Sequence, residues 1–446
     1  MAETLSNRKS VLLFTAKLGY QTRSFEEAAR ELGVDLVYVT DRCHQLEDPW
    51  NDRAIAARFE SPELAAHAVI ESVRTNPPAG ILALGDRPAL AAAYAARGLG
   101  IPFNHPLSVE ACRSKLRMRE IFREVGLPSP WFKSFPLDPT PEPALAGVRF
   151  PCVVKPLSLS ASQGVQRANN AAEFRAAWLR LRNLLRSPQI RATREPNLDA
   201  ALVEGYLPGR EVAVEALLTD AQLRILAIFD KPDPLEGPFF EESIYVTPSR
   251  LTAAEQDAIG KAVRIAVSGL GLAQGPIHAE FRIHNGEVWP LEVAPRPIGG
   301  LCSRALRFSP GPKVTAPQLS LESLLLRHAL NPNDPLAAAP RESAASAVMM
   351  IPVPRTGILN AVHGEDAARA TPAITELLIT ARLRDTIVAW PEGSSYLGFL
   401  FARAEHPQDA ERALREAHAK LHFDVSEELP VQHPAAQRAA RPSSEN

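Results

Sequence analysis

The stretch GPIHAEFRIHNGEVWPLEVAPRPIGG, residues 275–300, constrains the fold of this chain more than any other. Two strands are expected on either side of Asn285-Gly286. Glu280 lies on the first strand and Glu292 on the second, and Arg296 follows four residues later. Side chains alternate faces along a strand, and directly paired residues share a face. A two-residue turn at Asn285-Gly286 would pair Glu280 with Leu291 and send Glu292 to the other face. A three-residue loop, His284-Asn285-Gly286, pairs Glu280 with Pro290 and His278 with Glu292. All four then share a face, which Ala294 and Arg296 continue. Gly286 suits the left-handed position of such a loop. An odd-length or bulged turn is therefore expected. Two acids and an arginine on one face suit a site that holds divalent metal against phosphate and steadies a developing anion. On this segment alone, a surface hairpin with solvated acids explains the pattern as well.

The 446 residues suffice for roughly three domains. Hydrophobic residues make up 46% and charged residues 22%, so ordinary globular cores are expected. The formal net charge is −2 and no basic tail or stripe appears, which argues against a nucleic-acid partner. No run approaches the ~20 apolar residues of a membrane span. The N-terminus passes into a short strand and lacks a signal peptide pattern, so a cytoplasmic protein is expected. Cys43, Cys112, Cys152 and Cys302 are far apart, with no CxxC pair. They read as reduced thiols and not as a zinc site.

Residues 10–15 (SVLLFT), VDLVYVT and GILALGD read as strands. Helices follow each: SFEEAARELG with Ser24 as N-cap and Gly33 at its end, SPELAAHAVIESVR with Ser61 as cap, and PALAAAYAARGLG. Alternating strands and helices imply a parallel sheet covered on both faces. No GxGxxG follows the first strand, so no dinucleotide site is expected. Residues 106–126 form one or two helices, and 135–147 a Pro-rich connector. Residues 150–155 are a strand, 172–187 a helix, 187–199 a mobile loop and 253–269 a helix. ALVEGYLPGREVAVEALL reads as two strands around a Pro208-Gly209 turn. Residues 334–345 make an alanine-rich linker, and 346–425 a small α+β domain. A disordered tail is expected over 426–446.

Lys155 ends an apolar strand and precedes LSLSASQGV, a loop of small residues with Ser158, Ser160, Ser162 and Gly164. Lysine beside such a loop can grip phosphate oxygens. An exposed lysine before a flexible loop is the plainer alternative. No GxxxxGK[ST] P-loop occurs. Glu204 and Glu211 flank Gly-Tyr-Leu-Pro-Gly, which includes Tyr206 and Leu207. Such a hinge can offer backbone groups to an adenine edge, Leu207 an apolar contact and Glu211 an acceptor for ribose.

In this order, SKLRMREIFREVGLPSP, FPCVVKPLSLSASQGV, VEGYLPGREVAVE and HAEFRIHNGEVWPLEVAPRPIGG resemble the ATP-grasp superfamily over about residues 110–310. Within it the chain is most similar to the carboxylate–amine ligases that join L-amino acids. The resemblance implies an ATP-grasp fold of mixed α/β and α+β domains. It comprises an N-terminal parallel α/β domain (1–108), an ATP-grasp core (109–333) and a C-terminal α+β domain (346–425). It implies that Lys115 and Lys155 contact the nucleotide phosphates and that Ser160, Ser162 and Gly164 belong to the loop closing over them. Glu204, Tyr206 and Leu207 match the adenine hinge and Glu211 the ribose-binding acid. Glu280 and Glu292 match ligands of magnesium or manganese. Arg296 matches the arginine that stabilises the acyl-phosphate and tetrahedral states, and Gly299 and Gly300 match glycines near substrate. Ala294 departs from the family, where an asparagine often adds a metal ligand. ATP, a small-molecule carboxylate, an amine and a homodimer are implied.

Further candidates are Lys231, Glu241 and Glu242, which could meet phosphate or a substrate ammonium; Glu242 is preferred, after a family glutamate that contacts the amino-acid substrate. His278 could act as a base or orient a metal glutamate, and a structural histidine donating to a carboxylate is the stronger reading. Arg304 and Arg307 could bind a substrate carboxylate or simply face solvent. Cys302 has no general base paired with it in sequence and is rejected as a nucleophile. The expected activity is ADP-forming ligation through an acylphosphate. Another ATP-grasp activity, such as a purine-pathway ligase or a carboxylase-like enzyme, and a non-catalytic nucleotide-binding protein stay open as alternatives.

Overall fold

The computed structural model describes residues 8–16, 20–41, 54–137, 140–160, 162–309, 318–393 and 395–427. Cys43 and the tail from 428 lie outside the described residues.

The first strand, Ser10–Thr15, pairs in parallel with Asp35–Thr40 and with Gly80–Leu84. Ala54–Ala56, too short to be read in sequence, extends this sheet to four strands. Val11 and Leu13 pack with Phe25 and Ala28 of the Tyr20–Leu32 helix. Leu12 and Phe14 pack on the opposite face with Val69 and Ala89, from the helices Pro62–Ser72 and Asp86–Leu99. Burial on both faces is why this strand is a continuous apolar run instead of an alternating one. The first helix starts at Tyr20, so Ser24 lies inside it and is not its cap. Ser61 occupies the N-cap position of the second helix without a side-chain cap hydrogen bond.

A four-stranded antiparallel sheet follows, in the order Phe132–Pro136, Ala200–Gly205, Cys152–Pro156, Gln166–Ala168. Phe174, Trp178 and Leu181 of the helix Ala171–Arg186 pack on Val154, Ala201 and Val203. The segment 187–199, expected to be a mobile loop, begins with the short helix Pro188–Ala192 and is tied down by ion pairs described below.

The largest sheet has eight strands, ordered Glu287–Ala294, Gly275–His284, Arg210–Thr219, Gln222–Asp230, Ile244–Thr247, Ala345–Ile351, Gly398–Ala404 and Ile374–Ile379. The strands Ala200–Gly205 and Arg210–Thr219 are therefore not a hairpin. They belong to different sheets, and residues 206–209 are the crossing between them. Gly209 makes that crossing possible: its φ is +115°, and a Cβ there would stand 2.2 Å from the Ile283 carbonyl oxygen. The helix Ala253–Gly269 buries Ile259, Val263 and Val267 against one face of this sheet. Its start carries a capping box, Thr252 with Glu255.

The alanine-rich segment is less a linker than a packed connection. It holds a 3-10 turn at Pro335–Ala338, and Ala339 enters the core beneath the helix Leu321–Leu330. Strand Ala345–Ile351 then pairs directly with Ile244–Thr247, so the sheet runs on into the C-terminal region. Helix Pro407–His418 covers that part with Ala410, Leu414 and Ala417. Among the described residues, no helix is long and apolar enough to cross a membrane.

Candidate active site

An open cleft, about 820 Å³ with the solvent at its mouth included, lies between the four-stranded and eight-stranded sheets. The first sheet contributes Val153, Lys155 and Glu204, and the second Glu211, Glu280 and Glu292. Lys115, Ser160, Ser162, Tyr206, Leu207 and Glu242 also line it.

One end of the cleft carries excess positive charge. Lys155, at the end of its strand, is bonded to Glu204, and Arg119 donates to the same carboxylate through Nε (2.8 Å) and Nη2 (3.2 Å). Lys115 begins the helix Lys115–Glu124, which Ser114 caps, and its Nζ donates to the Leu159 carbonyl (2.6 Å). Burial pushes the Lys155 ammonium down to about 8, and the charges of Arg119 and Lys115 oppose the help it gets from Glu204. Burial would raise the Glu204 carboxyl, but Arg119 and Lys155 overcome this and hold it at about 2. Two cations thus share one buried carboxylate, with Lys115 close by, the charge balance of a site for an added anion. The loop behind them is shaped by left-handed residues: Leu159 (φ +80°), Ser162 (φ +50°) and Gly164 (φ +75°). A Cβ on Gly164 would come within 2.8 Å of Leu184. Ser160 is exposed at its tip. Ser158 donates to the Pro196 carbonyl (2.9 Å), tying the loop to the 187–199 segment.

The crossing at 204–207 forms the wall. The Tyr206 N–H donates to Pro151 (3.0 Å), and the Tyr206 ring stacks on Phe240 at 6.5 Å. The Leu207 carbonyl accepts from Arg282 (2.5 Å). The Glu204 side chain faces Lys155 and Arg119, so its contribution to a hinge is confined to its backbone.

The other end is acidic. Glu211, Glu242 and Glu280 each place an oxygen within 4.8 Å of the others. The ammonium of Lys231 sits among them, at 2.8, 2.6 and 2.8 Å respectively. Lys231, a candidate for phosphate or a substrate ammonium by sequence, meets carboxylates instead. Burial alone would lower its pKa, but the three acids raise it well above the ordinary lysine value. Arg282 takes the second oxygen of Glu211 (2.9 Å), and Tyr245 donates to Glu242 (2.6 Å). Burial works to raise the Glu280 carboxyl, yet Lys231 and His278 hold it well below the usual range. Glu242 goes the other way: burial raises it, Lys231 offsets only part of that, and Glu280 and Glu211 add repulsion.

Glu280 and Glu292 stand directly opposite each other in register and so share a face. The route to this differs from expectation. The turn has two residues, His284 pairing Glu287 with Asn285 (φ +51°) and Gly286 (φ +80°) between them. The extra residue is Leu291, a bulge between the Phe281–Pro290 and Glu280–Glu292 pairs. His278 consequently faces Ala294, not Glu292. Arg119 donates to the bulged Leu291 carbonyl (2.8 Å), so one buried arginine braces both Glu204 and the acid hairpin. Glu292 lies 4.0 Å from Lys115, which links the two ends of the cleft.

Arg296 is half-buried and held by Asp86 in a bidentate pair, Nε to Oδ1 at 2.8 Å and Nη2 to Oδ2 at 3.2 Å. Asp86 is the first residue of the helix Asp86–Leu99 in the N-terminal sheet region. Burial opposes its charge, but Arg296 beside it keeps the carboxyl below its ordinary value. The adjacent Arg87 pairs with Glu195 (3.1 Å) and donates to the Thr193 carbonyl (3.0 Å), while Arg113 pairs with Glu195 (2.9 Å). Two neighbouring residues therefore hold the arginine and the segment beneath the serine loop.

His278 donates to Glu215 (2.5 Å) and lies 3.7 Å from Glu280. Burial works to lower its imidazole, but Glu215 overrides this and raises it to about 9, so it is a cation near neutral pH and not a free base. Glu215 also accepts from the Ile298 N–H (3.1 Å), which steadies the turn carrying Gly299 and Gly300. Burial raises the half-buried Glu241, which does not line the cleft. Arg304 pairs with Glu376 (2.7 Å), and both Arg304 and Arg307 line a different cavity. Burial pushes the Cys302 thiol up, against a nucleophilic role. Arg119 and Asp86 were missed in sequence. The only signal for Arg119 was its place beside the buried Met118 and Phe122; for Asp86, its place just after the strand Gly80–Leu84.

Residues 148–305 match the family model of the ATP-grasp domain, residues 25–103 the ATP-grasp N-terminal domain, and residues 349–426 the L-amino acid ligase C-terminal domain 2. The uncharacterised protein y4rH of Sinorhizobium fredii is 23% identical over 334 residues, covering 74% of this chain and 65% of that protein. The alanine–anticapsin ligase of Bacillus amyloliquefaciens is 28% identical over 221 residues, 46% of each. The chain thus spans about half to two thirds of the length of these curated relatives. The crystal structure of an L-amino acid ligase from Bacillus licheniformis superposes with a TM-score of 0.78 at 24% identity, over 95% of this chain and 100% of that one. With matched domains in this order and this fold, the chain belongs to the ATP-grasp superfamily, similar within it to the L-amino acid ligases.

Proposed function

We propose that the protein is an ATP-dependent carboxylate–amine ligase that joins L-amino acid-type substrates through an acylphosphate, releasing ADP and phosphate. The observation that carries this is the opposed charge of the two cleft ends. A cation surplus at Lys115, Lys155 and Arg119 faces an acid surplus at Glu211, Glu242, Glu280 and Glu292. A polyphosphate with a divalent cation complements both at once.

In this reading the adenine lies against the backbone of 204–207 and the ribose near Glu211. Lys115 and Lys155 hold the phosphates, and the loop bearing Ser160, Ser162 and Gly164 closes over them and excludes water. The donor set fits magnesium: the acids offer only oxygens, and an ammonium already occupies the space among three of them. Glu280 and Glu292 would hold the metal, which supplies charge neutralisation at the transferring phosphoryl group. Ala294 adds no ligand. The substrate carboxylate attacks the γ-phosphorus, with Lys115 and Lys155 offsetting charge on the phosphate oxygens. Glu242 accepts from the ammonium of the acid substrate. An amine then attacks the acyl carbon and phosphate departs. Arg296, oriented by Asp86, donates to the oxyanion, a contribution of roughly 3–4 kcal/mol. The division into 1–108, 109–333 and 346–425 assigns these roles to all but the last part.

The test is phosphate release from ATP and magnesium with pooled L-amino acids, followed by mass spectrometry. Release that depends on the acid, with a product mass of two substrates less one water, supports the ligase and names both partners. Tight ATP binding with no release for any acid–amine pair overturns it.

A further inference from the structure

A second cavity, of about 630 Å³ of empty volume against the large cleft's 820 Å³, shares no lining residue with that cleft. Its walls are the strands Ala345–Ile351, Ile374–Ile379 and Gly398–Ala404 and the one-turn segment Cys302–Ala305. Its polar lining includes Arg304, Arg307, Arg403, Ser346 and Glu376.

The charges do not balance. Arg304 pairs with Glu376 at 2.7 Å and Arg403 pairs with Glu342. Arg307 donates to the Leu306 carbonyl (3.2 Å) and has no carboxylate partner among the described residues. Three guanidinium groups therefore line a cavity with one carboxylate, Glu376, while a second, Glu342, pairs with Arg403. Ser346 supplies an independent sign. It is 1% exposed, lines the cavity directly across from Arg403 in register, and its hydroxyl has no partner among the described residues. A buried hydroxyl without a partner is uncommon and points to a missing ligand or water.

We propose that this cavity binds a small oxyanion, a carboxylate or phosphate, through the guanidinium groups of Arg307 and Arg403 and the hydroxyl of Ser346. Planar guanidinium donors match both anions. Glu376 adds an acceptor for an ammonium, so a free α-amino acid uses the whole set and inorganic phosphate only its cationic part. The cavity has room for either. The proposal is independent of the ligase reading, since it involves none of the residues of the large cleft.

The experiment titrates the full chain with inorganic phosphate and, separately, with L-alanine, by calorimetry and thermal shift. The proteins are wild type, Ser346→Ala, Arg307→Gln and Lys155→Met. Saturable binding of at least one ligand is expected, weakened about tenfold by Ser346→Ala and by Arg307→Gln. Lys155→Met should leave that binding unchanged, and the ligand that binds names the source of the anion. Ser346→Ala removes no hydrogen bond from the ligand-free chain, so its melting temperature without ligand should not fall. That control separates lost binding from lost folding. Binding of neither ligand, binding indifferent to the two cavity substitutions, or binding abolished by Lys155→Met overturns the proposal.

Discussion

The two ends of the large cleft solve the same problem with opposite sign. At one, Lys155 and Arg119 converge on a single acid, Glu204; at the other, Glu211, Glu242 and Glu280 converge on a single ammonium, Lys231. Each cluster is tolerable when buried because every charge has a partner, yet neither is neutral. The distortion differs accordingly. In the cationic cluster the lone acid is held at about 2 while Lys155 falls to about 8. In the acidic cluster the lone ammonium is raised and one acid, Glu242, is pushed up. The group in the minority is always strongly ionised; a group in the majority gives way. Each end is thus short of counter-charge, an anion at the first and a cation at the second.

The largest expected effect comes from removing charge where the ends meet. Glu292→Gln should lower kcat about 10³-fold while ATP still binds, measured by ADP formation and nucleotide titration. Next, Lys231→Met leaves the buried Glu211 and the half-buried Glu242 and Glu280 without their ammonium and should cost on the order of 3 kcal/mol of stability. Magnesium should then raise the melting temperature of this variant more than that of wild type, because a metal ion can take the vacated place. Equal magnesium shifts in the two proteins would contradict the account of the acidic end. Asp86→Asn keeps the size of the side chain but weakens its grip on Arg296. A fall of about tenfold in amide formation is expected with little change in KM for ATP, and a rise in KM alone would argue against a positioning role.

The smallest effect is a pH dependence. Lys155 carries its charge below its depressed pKa of about 8 and loses it above. KM for ATP should therefore rise several-fold as pH climbs past 8, and the rise should be absent in Lys155→Met. A wild-type profile that is flat from pH 7 to 9 would remove the phosphate-gripping role from this lysine.

Much of this arrangement was legible in sequence, unevenly and for identifiable reasons. The parallel N-terminal sheet followed from alternating elements and from SVLLFT, whose unbroken apolar character matches burial on both faces. Parity required Glu280 and Glu292 to share a face, and they do, but through a bulge at Leu291 and not through the turn. A bulge leaves almost no local trace, because it is stabilised here by a distant side chain, Arg119. The same distance hid Arg119 and Asp86: their partners, Glu204 and Arg296, lie 85 and 210 residues away. The two strands around Pro208-Gly209 were legible because turn chemistry is local, whereas the choice of sheet on either side is not. Lys231 was recognised as a site residue, but its three acids come from three strands or loops that only the folded sheet brings together.

In the proposed ligation a carboxylate oxygen is passed to the γ-phosphate before the amide forms. The direct measurement uses an acid substrate labelled with ¹⁸O in its carboxylate, identified from the pooled assay, with ATP, magnesium and the amine. The account predicts phosphate carrying one ¹⁸O atom for each amide formed, and none with Glu292→Gln. Unlabelled phosphate released alongside amide would contradict it, since the carboxylate would then never have been bonded to phosphorus.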